Sequence, residues 1–255
     1  MFKLGDDIKS KKRKVEFDKG RHHRAKLGFI LMSTDLAAEA DFFEVIPKDV
    51  AIHITRLKTD DYTSNETLTR HIDYMAEAAS RLQPDVKPDV ISYHCTSGSI
   101  IIGEDRIKNE INKSKPEALV TTPITAALKA FRKLNLNKIA VLTPYPKNVN
   151  STVFNYLIQN NIDIDSFHSF NLNYDSEIAQ VDSDNLLDNI AKIDLQKVDG
   201  LFVSCTALKI VDILDQVEKK FSTTVVSSNQ AIIWDSLKLA NIHADIQGYG
   251  KLFVS

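Results

Sequence analysis

PDVISYHCTSG (residues 88–98) is a short apolar run that ends in a thiol, followed by small hydroxyl residues and a glycine. VDGLFVSCTAL (198–208) repeats the pattern 110 positions later, and Cys95 and Cys205 are the only two cysteines in the 255 residues. The echo extends to both sides. KLGFILMS from Lys26 aligns with KIAVLTPY from Lys138, and LVTTPITAAL from Leu119 aligns with TVVSSNQAII from Thr224. Three strand-like segments therefore recur in the same order in each half, the signature of a duplicated unit.

Between these segments, short apolar runs alternate with amphipathic ones, which predicts βα units and a parallel sheet. Strands are predicted at 27–33, 50–57, 88–95, 117–122, 138–144, 162–170, 200–205 and 223–228. Over 66–82, Leu68, Ile72, Met75, Ala79 and Leu82 recur at the spacing of one buried helix face. The expected fold is α/β: two pseudo-symmetric lobes, each a mostly parallel sheet flanked by helices, with the active site between them. The boundaries are a charged flexible arm over 1–25, a first lobe over 26–136 and a second over 137–255, whose final segment is a candidate to cross back.

Composition narrows the function. A net charge of −2 argues against a binder of nucleic acid held by phosphate contacts. No apolar run reaches the ~18 residues of a membrane span, and no apolar leader follows the basic N-terminal residues. A cytoplasmic location is expected, where two cysteines stay reduced. KSKKRKVEFDKGRHHR (9–24) has no period and mixed charge, and is read as a solvated or partner-covering arm. The Lys11–Lys14 cluster is secondarily a localisation or headgroup patch. His22 and His23 are adjacent, a poor spacing for sharing a metal. His94 adjoins Cys95 but in a strand points to the opposite face, so no metal site is expected.

In open parallel sheets ligands bind beyond the carboxyl ends of the strands. Two facing lobes would bring Cys95 and Cys205 to opposite walls of one cleft. The bland reading of either thiol is a small core hydrophobe. Against it, both precede a threonine and are expected to open a helix, whose N-terminus favours an anion and lowers a thiol's pKa from about 8.5. Two such thiols suit acid/base or nucleophilic chemistry at a carbon beside a carboxylate, with backbone amides stabilising the enediolate. No Gly-rich nucleotide fingerprint or Walker motif is present, and no cofactor is expected.

At HCTSGS, VTTP before a helix, IAVLTPYPKNVN, SCTALKIVD, VVSSNQAIIWDSLKLA and the closing GYGKLF, the chain resembles the aspartate/glutamate racemase superfamily, from about Leu27 to Phe253. The branch resembled holds maleate cis-trans isomerases, arylmalonate decarboxylases and ectoine-utilisation isomerase-like proteins. The resemblance implies a two-lobed α/β fold and a cofactor-independent isomerase or racemase acting on a small amino or dicarboxylic acid. It places Cys95 as nucleophile or first base and Cys205 as second acid/base. Arylmalonate decarboxylases keep only the second cysteine, which favours isomerisation or racemisation. A decarboxylase or lyase using the same enolate is the alternative within enzymes, and a non-catalytic small-acid binder the alternative outside them.

By the same resemblance Tyr145 holds a substrate carboxylate, its bland reading being a packed aromatic at the lobe interface. Thr96, Ser97, Thr206 and Ala207 line the anion-binding turns. Where maleate isomerases carry Pro-Ser-Ser-Asn, this chain has Met32-Ser33-Thr34-Asp35, followed by Glu39. An ionised Asp35 repels a carboxylate, so either it caps the following helix or it faces a cationic group. A substrate with both a carboxylate and an amine or amide is therefore expected. One further polar contact lies in NLNYDSEIA, at Asn173 or Asp175, either of which reads equally as a turn residue. The resemblance leaves a homodimer open.

Overall fold

The computed structural model describes residues 13–18, 20–83 and 87–255. All eight predicted strands form: β1 Ala25–Met32, β2 Val50–Leu57, β3 Val90–Tyr93, β4 Leu119–Thr121, β5 Lys138–Thr143, β6 Asp163–Ser169, β7 Gly200–Val203 and β8 Val225–Ser227. Helices alternate with them. In the first half these are α1 Ala38–Val45, α2 Asn65–Thr69, α3 Ile72–Ser80, α4 Thr96–Ile102, α5 Glu104–Ser114 and α6 Pro123–Leu134. In the second they are α7 Lys147–Gln159, α8 Asp175–Ile178, α9 Ser183–Ile190, α10 Leu214–Phe221, α11 Ser228–Leu239 and α12 Lys251–Val254, with a 3-10 turn at Val211–Ile213.

The strands pair into two four-stranded parallel sheets, ordered β2-β1-β3-β4 and β6-β5-β7-β8. The order is the same in both, as a duplicated unit requires. The inner strands are covered on both faces by helices, and β3 and β7 are buried throughout. That is why their sequences read as continuous apolar runs rather than alternations. The edge strand β6 is largely exposed or half-buried. Local signals place the helix starts: Thr122 accepts a bond from the Thr125 N–H with Pro123 next to it, and Ser227 and Gln230 form a capping box on α11.

Helix α11 follows the last strand of the second sheet but packs on the first. Ile233 and Leu237 share a core cluster with Phe29, Leu31 and Phe42 of the first half. Asp235, 1% exposed, receives the Lys129 ammonium of α6 at 2.7 Å and the Thr121 hydroxyl at 2.6 Å. Covered on nearly every side, α11 exposes only Lys238 and buries its polar residues as well, and its N-terminus comes to lie between the lobes.

Backbone order starts inside the stretch assigned to the arm. His23 bridges Val50, Arg24 pairs with Asp49 at 3.1 Å, and Ala25 already belongs to β1. Of the basic cluster, Lys11 and Lys12 lie outside the described residues, while Arg13 and Lys14 are exposed. No helix among the described residues is long and apolar enough to cross a membrane.

Candidate active site between the lobes

Strand β3 delivers Cys95 to the start of α4, where the thiol acts as N-cap and accepts the Gly98 N–H at 3.4 Å. The Ser97 hydroxyl lies 3.8 Å from the sulfur. Gly98 is required here: a Cβ at that position would stand 2.2 Å from the Tyr93 hydroxyl and 3.1 Å from the Cys95 sulfur. The missing side chain leaves the space across which the hydroxyl of the fully buried Tyr93 and the Cys95 sulfur approach each other.

Cys205 stands at the end of β7 in the same place, but its surroundings correct one expectation. It does not open a helix. A turn follows it, then the 3-10 segment, and α10 begins only at Leu214. Its backbone has φ of 141°, a region that L residues seldom occupy, and its N–H is held by the Ser228 hydroxyl at 3.1 Å. The sulfur accepts the Ala207 N–H at 3.4 Å, and the Tyr145 hydroxyl is 3.5 Å from that of Ser204.

Both thiols line one cavity of about 30 Å³, together with Met32, Thr34, Asp35, Leu68, Thr96, Ser97, Tyr145, Asp175, Thr206 and Ala207. That volume holds about two water molecules. Nine of the ten residues singled out in the sequence meet there. Asn173 does not: it is exposed, and its carbonyl accepts the Thr63 N–H at 2.8 Å. Asp175 is the one that faces the thiols. Its carboxylate accepts the Thr34 hydroxyl at 2.8 Å and the Thr63 hydroxyl at 3.1 Å. Asp35 does two things at once, lining the cavity while Oδ1 accepts the N–H groups of Ala37 and Ala38 at 3.0 and 2.9 Å, at the entry to α1.

Next to Asp175 in the chain, Tyr174 and Ser176 form a clasp between the lobes. Tyr62 and Tyr174 form an isolated antiparallel bridge with their rings 5.7 Å apart. Asp61 takes the N–H and hydroxyl of Ser176 at 2.9 and 2.7 Å.

The floor is the N-terminus of α11, which sequence reasoning missed. Ser228 accepts both the Cys205 N–H and the Thr96 hydroxyl, the latter at 2.8 Å. The Asn229 amide donates to the Thr206 carbonyl at 2.9 Å and to Asp41 at 2.5 Å, and accepts from His94 at 3.0 Å. The Thr206 hydroxyl donates to the His94 carbonyl at 3.3 Å. The hydroxyls of Thr96 and Thr206 thus tie the two cysteine turns together. His94 points away from the cavity, edge-on to Phe42, as the strand alternation predicts.

Electrostatics corrects a second expectation. Burial pushes the Cys95 thiol up to about 11, and the Asp175 carboxylate pushes it the same way against the smaller lowering effects of the Gly98 N–H and the Ser97 and Tyr93 hydroxyls. Burial also raises Cys205, more strongly, with Asp175 and Cys95 adding to it. A single N–H on each sulfur does not offset desolvation, so both groups rest as protonated thiols. Burial likewise raises Asp35 and Asp175 above the usual carboxylate range. Among the described residues, no Lys, Arg or His side chain lines the cavity.

The family model for arylmalonate decarboxylase matches residues 44–253. The arylmalonate decarboxylase of Bordetella bronchiseptica is 31% identical over 136 residues, 52% of this chain and 57% of that enzyme, so the match spans little more than half its length. The maleate isomerase of Pseudomonas putida is 23% identical over 230 residues, 87% of this chain and 91% of its own. Among solved structures, a cysteine-to-serine mutant of the Nocardia farcinica maleate cis-trans isomerase, bearing a covalently bound succinylcysteine intermediate, superposes with a TM-score of 0.82 at 20% identity. It covers 90% of this chain and 98% of that one.

Proposed function

Since the chain belongs to the arylmalonate decarboxylase family, we propose that it is a cofactor-independent isomerase or racemase acting at a carbon next to the carboxylate of a small acid, with Cys95 and Cys205 as paired thiols. One observation carries this reading: the two cysteines come from different lobes and line the same cavity. The similarity to maleate isomerases over most of both chains supports it. So does the succinylcysteine in one of them, in which a cysteine sulfur is bonded to a four-carbon diacid.

In a racemisation, the Cys95 thiolate takes the α-proton from one face and the Cys205 thiol delivers its own proton to the other. The charge that starts on one sulfur ends on the second. In a cis-trans isomerisation, the Cys95 thiolate adds to the double bond, the resulting single bond rotates, and expulsion of the sulfur restores the alkene. Both routes pass through an enediolate that needs hydrogen-bond donors. Tyr145 and the turn amides around Ser97, Thr206 and Ala207 are assigned to hold it.

The cavity's charge selects the substrate. Asp35 and Asp175 face it, and among the described residues no cationic side chain does. A substrate with an amine or amide beside its carboxylate offsets the repulsion that a plain dicarboxylate meets. A cationic nitrogen next to Asp175 also cancels the field that opposes thiolate formation at both sulfurs. Admission of any such acid requires the cavity to widen, because about 30 Å³ does not accommodate it.

The test is incubation in deuterated water with maleate, aspartate, glutamate, N-acetyl-diaminobutyrate and hydantoin-type acids, followed by chirality and deuterium uptake. Cys95→Ala and Cys205→Ala should each abolish turnover while keeping the fold. Full activity in both single variants sinks the proposal, and release of carbon dioxide would assign a decarboxylase instead.

A further inference from the structure

A buried, protonated Cys95 must lose its proton to act, and among the described residues the cavity holds no base other than carboxylates that already accept bonds from hydroxyls or amides. On the side of the thiol away from the cavity the structure offers a different exit. The Tyr93 hydroxyl approaches the thiol across the space that a side chain on Gly98 would fill, 2.2 Å and 3.1 Å from that position respectively. The same hydroxyl is 2.7 Å from His71 Nδ1, and His71 Nε2 is 2.6 Å from the Thr59 hydroxyl. Tyr93 and His71 are 0% and 1% exposed, whereas Thr59 is half-buried and opens on a surface pocket of about 60 Å³ with Lys58, Asp60, Thr67 and Arg70.

We propose that Tyr93 and His71 are positioning residues for the Cys95 proton, forming a hydrogen-bonded relay from the catalytic thiol to solvent at Thr59. The proposal rests on Cys95 reacting as a thiolate.

The relay balances with one proton per group. At rest the thiol donates to the Tyr93 oxygen, Tyr93 donates to His71 Nδ1, His71 Nε2–H donates to Thr59, and the Thr59 hydroxyl faces the Asp60 carbonyl at 3.3 Å. On activation the thiol proton passes to Tyr93, the Tyr93 proton to Nδ1, the Nε2 proton to Thr59, and the Thr59 proton to a surface water. The result is a thiolate accepting a bond from Tyr93, a neutral tyrosine, and a neutral imidazole in its other tautomer. Nothing along the path carries a lasting charge, which is what a dry interior demands.

Burial keeps His71 neutral, pushing it down to about 4, with the nearby Asp60 raising it and Arg70 lowering it by smaller amounts. A neutral imidazole with one donor and one acceptor nitrogen is the form that can exchange tautomers. The Gly98 opening has the same sense, since any side chain there would expel the Tyr93 hydroxyl from the thiol. Nothing equivalent serves Cys205: the Tyr145 hydroxyl beside it leads only to Ser204.

The test is the rate of iodoacetamide labelling of each cysteine between pH 7 and 10, read by peptide mass spectrometry in the full chain. Tyr93→Phe keeps the ring and removes the relay. Cys95 labelling near pH 8 should fall about fivefold or more, with Cys205 changed less than twofold. His71→Gln should act in the same direction, and serves if Tyr93→Phe does not fold. In the wild type, α-proton exchange should show a solvent isotope effect that Tyr93→Phe alters. Cys95 labelling within twofold of wild type in a folded variant overturns the relay, as does an equal change at both cysteines, which would mean general loosening. If no acid is turned over by the wild type, the isomerase reading fails while the labelling ratio still decides the relay.

Discussion

Asp175→Asn isolates the charge that opposes both thiols. Raising Cys95 from its ordinary 9.0 to about 11 makes its ionisation harder by roughly 3 kcal/mol, which leaves on the order of a hundredfold less thiolate at neutral pH. Burial is the larger cause and the Asp175 carboxylate the next. Both groups line one cavity, and at an effective dielectric of about 20 such a neighbouring charge contributes on the order of 1–2 kcal/mol, about one pH unit. Asparagine keeps the shape and the acceptor oxygen for one threonine hydroxyl. The variant's Cys95 labelling curve with iodoacetamide should therefore move about one unit toward lower pH, giving five- to tenfold faster labelling between pH 7 and 9. The same ionisation penalty sets the alkaline stability. The unfolded thiol ionises near its ordinary value and the folded one does not, so stability present below about pH 9 is lost as pH rises toward 11, by roughly 3 kcal/mol. Urea titrations across that window in wild type and Cys95→Ala measure it. A wild-type Cys95 that labels with an apparent pKa below 8, or a labelling curve unmoved by Asp175→Asn, refutes the argument.

Other perturbations test the frame around the thiols. Gly98→Ala adds a methyl 2.2 Å from the Tyr93 hydroxyl; overpacking of about 1–3 kcal/mol against a helix-propensity gain of up to about 1 leaves a net loss of about 1–2 kcal/mol in urea melts. Adding Tyr93→Phe, which removes the clashing atom, should make the glycine change cheaper, and an unchanged cost would contradict the geometry. Asp61→Ala removes the acceptor of both Ser176 bonds in the clasp; iodoacetamide should then reach both cysteines several-fold faster, with little change in Tm. Lys129→Met leaves the Asp235 carboxylate with only the Thr121 hydroxyl. Because Lys129 is about one-third exposed, the loss should sit below the usual range for breaking a buried pair, at about 2 kcal/mol by thermal melting.

What the chain declares by itself is what local pattern controls. The apolar runs of β1 to β8 and the small residues after each thiol depend on neighbours close in sequence, so the eight strands, the doubled architecture and the placement of Cys95 and Cys205 at strand ends were all legible. The repeat even implied the common cleft, because equal strand order in two facing sheets leaves the two thiols few other places to go. Tertiary structure decided the rest, through contacts between residues far apart in the chain. Asp175 rather than Asn173 faces the site because Thr34 and Thr63 of the other lobe turn it inward. Ser228 and Asn229 reach the cysteine turns only because α11 crosses to the first sheet. The charge state of the thiols followed neither motif nor spacing. Desolvation sums over everything packed around a sulfur, and sequence reasoning that saw a helix start beside each cysteine expected an easily ionised thiol where burial makes a reluctant one.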